Sequence, residues 1–81
     1  MAGNSRTSKP NYSQLDLHGV KHQEVERLVE NFILTNQDSF PLKVICGNSV
    51  KMIGLVNSTI DNVGCVCEMY QFGVIIIYRF T

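Results

Sequence analysis

The chain has 81 residues, of which 44% are hydrophobic and 17% are charged, so it can form one small domain and is too apolar to be disordered by composition. Seven basic and seven acidic residues give a formal net charge of zero, which excludes a strongly basic nucleic-acid surface and leaves only local phosphate binding. The longest apolar run, GVIIIY at 73–78, is too short for a bilayer span, which takes ~20 residues. We expect no membrane partner.

Residues 1–13 are polar, rich in Ser and Asn, and without periodicity. This predicts a flexible N-terminal arm before a single domain at 14–81. Arg6 and Lys9 give the arm a local positive charge. A solvated tail is one interpretation, and a weak tether to phosphates is the other.

The domain begins with a predicted strand at 14–18, followed by a helix at 22–36. The helix is indicated by an apolar stripe at i, i+3, i+4, i+7 and i+8, formed by Val25, Leu28, Val29, Phe32 and Ile33. Pro41 forbids its continuation. A β-branched run predicts a second strand at 42–46, and helical spacing of apolar residues predicts a second helix at 50–62.

Two further strands, at 65–70 and 74–80, are joined by the three residues QFG and predict a hairpin. The order is therefore β-α-β-α-β-β, in which helical crossovers favour parallel pairing of the first three strands. The fold class is α/β: a two-layer sandwich with a four-stranded mixed sheet and both helices on one face. If the VIIIY strand at 74–78 lies at an exposed edge, it needs pairing or cover, for example by a second copy.

The segment LDLHG, residues 15–19, places an acid and an imidazole two residues apart in the predicted strand. Side chains alternate along a strand, so Asp16 and His18 share one face. A carboxylate beside an imidazole can orient it as a general acid or base near neutral pH. The alternative is that Asp16 caps a neighbouring loop and His18 only closes the strand.

The segment CGNS, residues 46–49, lies between the second strand and the second helix. Gly47 permits a tight turn, and Asn48 or Ser49 can serve as the helix N-cap. Free amides of the first helical turn can bind an anion, and Lys51 adds a positive charge there. Capping without a ligand is the commoner situation at such a turn.

The two segments gain meaning together because parallel strands end on one edge of a sheet. We therefore expect the Asp16/His18 pair and the Gly47 turn to meet in one shallow site. An acid/base pair beside a phosphate cradle indicates phosphodiester chemistry or recognition of a phosphate backbone.

LDLHG, an amphipathic helix, a strand ending at a glycine turn, a second helix and a terminal strand pair together resemble the Smr (small MutS-related) domain. The likeness covers residues 14–80. The family's signature is LDLHG or LDxHG with a later glycine turn such as HGKG or TGxG. The chain departs from it at Cys46, where Thr or His is usual, at Asn48, often Lys or Arg, and at Ser49, often Gly.

The resemblance implies a fold similar to the C-terminal domain of translation initiation factor three and a role as a stand-alone endonuclease that cleaves RNA or nicks DNA. It matches Asp16 and His18 to the family's functional acid and histidine, and Gly47 to the glycine of its second motif. The expected phosphate-binding residues are Gly19, Gly47, Asn48, Ser49 and Lys51. RNA cleavage needs no cofactor if His18 takes the 2′-OH proton, whereas nicking of DNA would use water and a divalent cation held partly by Asp16.

Two other function classes stay open at this stage. One is a non-catalytic module that binds nucleic acid or the ribosome, and the other is a structural adaptor that binds no nucleic acid. A domain this small is expected to be directed by a larger machine, such as the ribosome or a repair complex.

Three cysteines without a secretory segment predict reduced thiols and a cytoplasmic location. The Cys65-x-Cys67 spacing differs from that of zinc sites, so we expect no metal there.

Overall fold

The computed structural model describes residues 13–81. The arm predicted at 1–13, with Arg6 and Lys9, lies outside this range except for Ser13, which belongs to the first strand. The helices and strands follow the predicted order: β1 (Ser13–Asp16), α1 (His22–Thr35), β2 (Leu42–Ile45), α2 (Val50–Val63), β3 (Cys65–Gln71) and β4 (Val74–Phe80).

The four strands found in residues 13–81 form one mixed sheet with the order β1-β2-β4-β3. β1 pairs parallel with β2, and β4 pairs antiparallel with both β2 and β3. The prediction of parallel pairing is therefore correct for β1 and β2 and wrong for β3, because β4 folds back from the hairpin and inserts between β2 and β3. The strand expected to need cover as an edge is internal, and its Ile75 and Ile77 are fully buried.

The two helices share one core with the sheet. Their apolar stripes bury Val25, Val29 and Ile33 from α1 and, among others, Met52, Val56 and Ile60 from α2. From the sheet, the same cluster includes Leu42, Val44, Ile75 and Ile77. A mixed sheet and two helices around one core are consistent with the predicted two-layer α/β sandwich.

Both helices end within one residue of the predicted boundary, and each has 14 residues. Gly64 terminates α2 with a φ of +94° and donates its amide to the Ile60 carbonyl at 3.1 Å, as expected for a left-handed C-terminal glycine. In the part of the chain that the structure describes, no helix is long and apolar enough to cross a membrane.

The β3–β4 turn has two residues, Phe72 and Gly73, rather than the predicted three, because Gln71 pairs with Val74. Gly73 has a φ of +83° and its carbonyl accepts a hydrogen bond from the Cys46 amide at 2.7 Å. A Cβ atom on Gly73 would lie 2.2 Å from the Gly47 carbonyl oxygen. The hairpin turn therefore packs backbone to backbone against the turn that follows β2.

This contact makes Gly73→Ala a severe substitution. We expect it to lower the free energy of unfolding by roughly 2–4 kcal/mol, because it combines a left-handed φ with a clash against main-chain atoms. Gly54→Ala is the matched control, since Gly54 lies in α2 and a Cβ there meets no atom within 4 Å. That variant should be more stable than the wild type by about 0.5–1 kcal/mol. Urea denaturation followed by circular dichroism measures both, and equal stability of the two variants would contradict the contact.

Candidate functional site

The first turn of the site begins where β1 ends, at Asp16. The Asp16 Oδ1 atom accepts a hydrogen bond from the His18 backbone amide at 2.9 Å, and Gly19 follows with a φ of +78°. The predicted strand through His18 is therefore wrong: the carboxylate holds a turn, as in the capping alternative. Within the described residues, the hydrogen bond that Asp16 makes goes to the main chain of His18 and not to its imidazole.

Leu17 anchors this turn between two exposed side chains. It is fully buried in the core, and its amide donates to the Ile45 carbonyl at 2.9 Å. Its carbonyl accepts from the Val20 amide at 3.0 Å, which closes the turn. Because Leu17 is fixed on both sides, Asp16 and His18 are both presented to solvent at the rim of the sheet.

The second turn connects β2 to α2. Gly47 has a φ of +77°, and Ser49 is the N-cap of α2, with its side chain accepting from the Met52 amide at 3.1 Å. Of the two predicted caps, Ser49 is therefore the one used. A first helical turn leaves its leading amides without intrahelical acceptors, and here these belong to Val50 and Lys51. Together with the helix dipole they favour a negative group in front of α2.

The two turns enclose one open cleft of about 500 Å³. Parallel pairing of Asp16 with Ile45 brings the ends of β1 and β2 to the same edge of the sheet, as the sequence predicts. Six of the predicted site residues line the cleft: Asp16, His18, Gly19, Gly47, Asn48 and Ser49. The seventh, Lys51, is exposed on α2 and is not among the lining residues.

Cys46 lies in the same cleft but is only 4% exposed. Burial raises the pKa of its thiol to about 11, so the sulfur is protonated and a poor nucleophile at neutral pH. Its backbone amide is bonded to Gly73. Cys46 therefore contributes packing to the cleft and a link to the hairpin rather than reactivity.

The other two cysteines lie on β3 beside α2, away from the cleft. Cys65 is buried, Cys67 is half-buried, and the Cys67 Sγ atom lies 3.8 Å from Asn57 Oδ1. Burial, and secondarily the negative charge of a neighbouring group, raises the pKa of both thiols. Across residues 13–81, no three His, Cys, Asp or Glu side chains are grouped so that they could hold a metal ion.

Gly73 is the positioning residue that the sequence does not reveal. Its place in a hairpin already explains its left-handed φ, so no local signal indicates that it also contacts Gly47. That contact depends on β4 lying next to β2, which follows from the sheet order and not from the local pattern.

Ser49 is expected to stabilise the α2 end of the cleft. Ser49→Ala removes the acceptor for the Met52 amide, so we expect the free energy of unfolding to fall by about 1 kcal/mol. Ser58→Ala makes the same chemical change at an exposed position within α2 and should leave stability unchanged or slightly higher. Urea denaturation compares the two, and equal effects would show that the cap contributes nothing.

Comparisons with protein-family models, with curated proteins and with solved structures found no match to this chain. The Smr resemblance therefore depends on LDLHG, the glycine turn and the order of helices and strands. The structure adds one observation to that likeness: the turn after β1 and the turn after β2 line one cleft.

Proposed function

We propose that this chain is an Smr-type domain, with a fold similar to the C-terminal domain of translation initiation factor three, that binds nucleic acid in the cleft and cleaves RNA there. The observation that supports this best is that His18 and the N-terminus of α2 line the same cleft. One supplies an imidazole for proton transfer, and the other supplies amides for a phosphate.

In the proposed reaction, the phosphate lies in front of α2, against the Val50 and Lys51 amides. The His18 imidazole removes the proton of the adjacent ribose 2′-OH, and that oxygen attacks the phosphorus atom. The bond from phosphorus to the 5′-oxygen then breaks. The products are a 2′,3′-cyclic phosphate and a 5′-hydroxyl, which takes its proton from water.

Asp16 acts in this proposal as a positioning residue. Its hydrogen bond to the His18 amide fixes the turn on which the imidazole is mounted. The amides at the start of α2 are fixed before substrate arrives, because Ser49 caps the helix. Donors that need no rearrangement stabilise developing charge on a phosphate most effectively.

Nicking of DNA is a second version of the same proposal. DNA lacks the 2′-OH, so water must attack, and a divalent cation held partly by Asp16 would assist it. RNA is favoured because its cleavage needs only the His18 imidazole and the first amides of α2, and no added cation.

A non-catalytic module that binds nucleic acid or the ribosome is the second candidate function, and a specific observation favours it. No lysine or arginine is among the described residues that line the cleft, and the thiol at position 46 is buried. The cleft therefore offers a phosphate little positive charge. A site of this kind fits recognition of nucleic acid without cleavage. A structural adaptor is the third alternative, and a cytoplasmic location with a directing ribosome or repair complex remains a prediction.

The two histidines of the chain, His18 and His22, provide a matched test. We expect His18→Ala to lower the rate of RNA cleavage by about 10²- to 10⁴-fold, which is the usual contribution of a general base. Binding of uncleaved RNA should change little, because the amides of α2 remain. His22→Ala should cleave at the wild-type rate. Cleavage of end-labelled RNA and DNA is followed with and without Mg²⁺ and chelator.

The outcomes separate the three functions. Wild-type cleavage rates in His18→Ala would reject the mechanism. Binding that weakens with salt, without cleavage by the wild type under any condition, would identify the non-catalytic module. Absence of binding to RNA and to DNA at low salt would leave the adaptor.

A further inference from the structure

The face of the sheet opposite the core contains a concave surface of about 300 Å³, which we call the tyrosine groove. It is lined by Lys43, Tyr70, Ile76 and Tyr78. Lys43 lies on β2 between Leu42 and Val44, which are both fully buried in the core, so strand alternation directs Lys43 to the other face. The groove is therefore separate from the cleft and on the side of the sheet that the core does not occupy.

Both tyrosines are extra residues at irregularities in the β3–β4 pairing. Val66 pairs with Arg79 and Cys67 with Ile77, so the register of the two strands shifts at Tyr78 on β4. Met69 pairs with Ile75 and Gln71 with Val74, so Tyr70 is unpaired on β3. Bulges of this kind redirect side chains and are common beside functional sites. Here two bulges place two aromatic rings over one groove.

The rings are accessible and lie on an apolar floor. Tyr70 is 72% exposed and Tyr78 is 43% exposed, whereas Ile76 between them is 5% exposed. Exposed aromatic rings above a buried aliphatic side chain offer flat surfaces on which planar ligands stack. Nucleobases are such ligands, and stacking on a sheet surface is a common way to bind single strands.

The charges of the groove favour a single strand over a duplex. Lys43 makes no ion pair within the described residues, so its ammonium group can bind a phosphate. The Glu68 carboxylate accepts from the Tyr78 hydroxyl at 3.5 Å and offsets that charge. One cation beside one carboxylate gives little attraction for the dense phosphates of a duplex, whereas base stacking does not require a strong field.

The groove and the cleft are connected through the hairpin turn. Gln71 pairs with Val74, and Val74 pairs with Ile45 at the end of β2. Gly73 contacts Gly47 of the cleft, and the neighbouring Phe72 is 59% exposed. A third exposed ring therefore lies on the turn that links the groove to the cleft.

We propose that the tyrosine groove binds the bases of single-stranded nucleic acid by stacking on Tyr70 and Tyr78, with a phosphate on Lys43. The bound strand continues over Phe72 to the cleft. This inference rests on the proposed function, because it assigns a second subsite to the same ligand. It also states the preferred form of that ligand: unpaired rather than duplex.

The test uses a fluorescently labelled oligothymidine of ~12 nucleotides, which lacks the 2′-OH and so cannot undergo the proposed RNA cleavage. Fluorescence anisotropy gives its affinity for the intact chain. We expect Tyr70→Ala to weaken binding by about 5- to 100-fold, as for loss of one stacked base. Tyr70→Phe keeps the ring and should bind within about 2-fold of the wild type. Leu34→Ala, at an exposed apolar residue of α1, is the matched control and should bind like the wild type.

Salt separates stacking from charge. The loss caused by Tyr70→Ala should be the same at ~50 and ~200 mM salt, whereas the loss caused by Lys43→Gln should shrink as salt rises. Arg27→Gln removes one positive charge from α1 instead and should have little effect. A duplex of equal length should bind more weakly than the single strand and should be insensitive to Tyr70→Ala.

The result that overturns the inference is equal affinity of Tyr70→Ala and Leu34→Ala for the oligothymidine while the wild type still binds it. The cleft proposal would survive that result, since its test is the effect of His18→Ala on cleavage. Sedimentation that shows a wild-type dimer dissociated by Tyr70→Ala would also overturn it, because the groove would then bind a second copy. A wild type that binds no single strand at low salt would reject the proposed function and this inference together.

Discussion

The close approach of two glycines is the constraint on which the site depends. The Gly73 carbonyl accepts from the Cys46 amide, and a Cβ on Gly73 would meet the Gly47 carbonyl oxygen at 2.2 Å. Backbone-to-backbone contact of this kind leaves no room for a side chain on that face. It ties the hairpin turn to the turn that precedes α2, and thereby fixes the direction in which α2 presents its first amides. The cleft is therefore built by the sheet order as much as by its own residues.

The opposite wall of the cleft depends on one buried residue between two exposed ones. Leu17 is fully buried and its amide extends the pairing of β1 with β2, while Asp16 caps the turn that carries His18. The Asp16 carboxylate thus determines the position of the His18 imidazole, because it holds the main chain of His18. Such an arrangement fixes position through backbone geometry, so the acid and the histidine of LDLHG function as one local unit.

The sequence predicts the local structure well because its signals are local. The stripe of α1, the Ser49 cap and the Gly64 terminator each depend on neighbours within one or two helical turns, and each lies where the pattern indicates. The meeting of the two turns follows from a general rule for parallel strands. The insertion of β4 beside β2, the Gly73–Gly47 contact and the bulged tyrosines depend on pairing between distant segments, which periodicity does not encode. The strand predicted through His18 is wrong for a different reason: the side chain of Asp16 competes with the sheet for the His18 amide.

The neutral charge of the chain is consistent with the way its two surfaces are built. A ligand held mainly by phosphate contacts would need more cations than the cleft and the tyrosine groove supply, because each contact contributes a modest, salt-sensitive increment. The cleft offers oriented amides from α2, and the groove offers aromatic faces, with Lys43 as its one lysine or arginine among the described lining residues. Both means of binding depend on geometry rather than on field strength. In the proposal, a single strand satisfies both, because its bases are free to stack while its phosphates reach the cleft along the hairpin. In the proposed function, the tyrosine groove on the sheet face therefore selects unpaired nucleic acid, and the cleft at the edge of the sheet cleaves it.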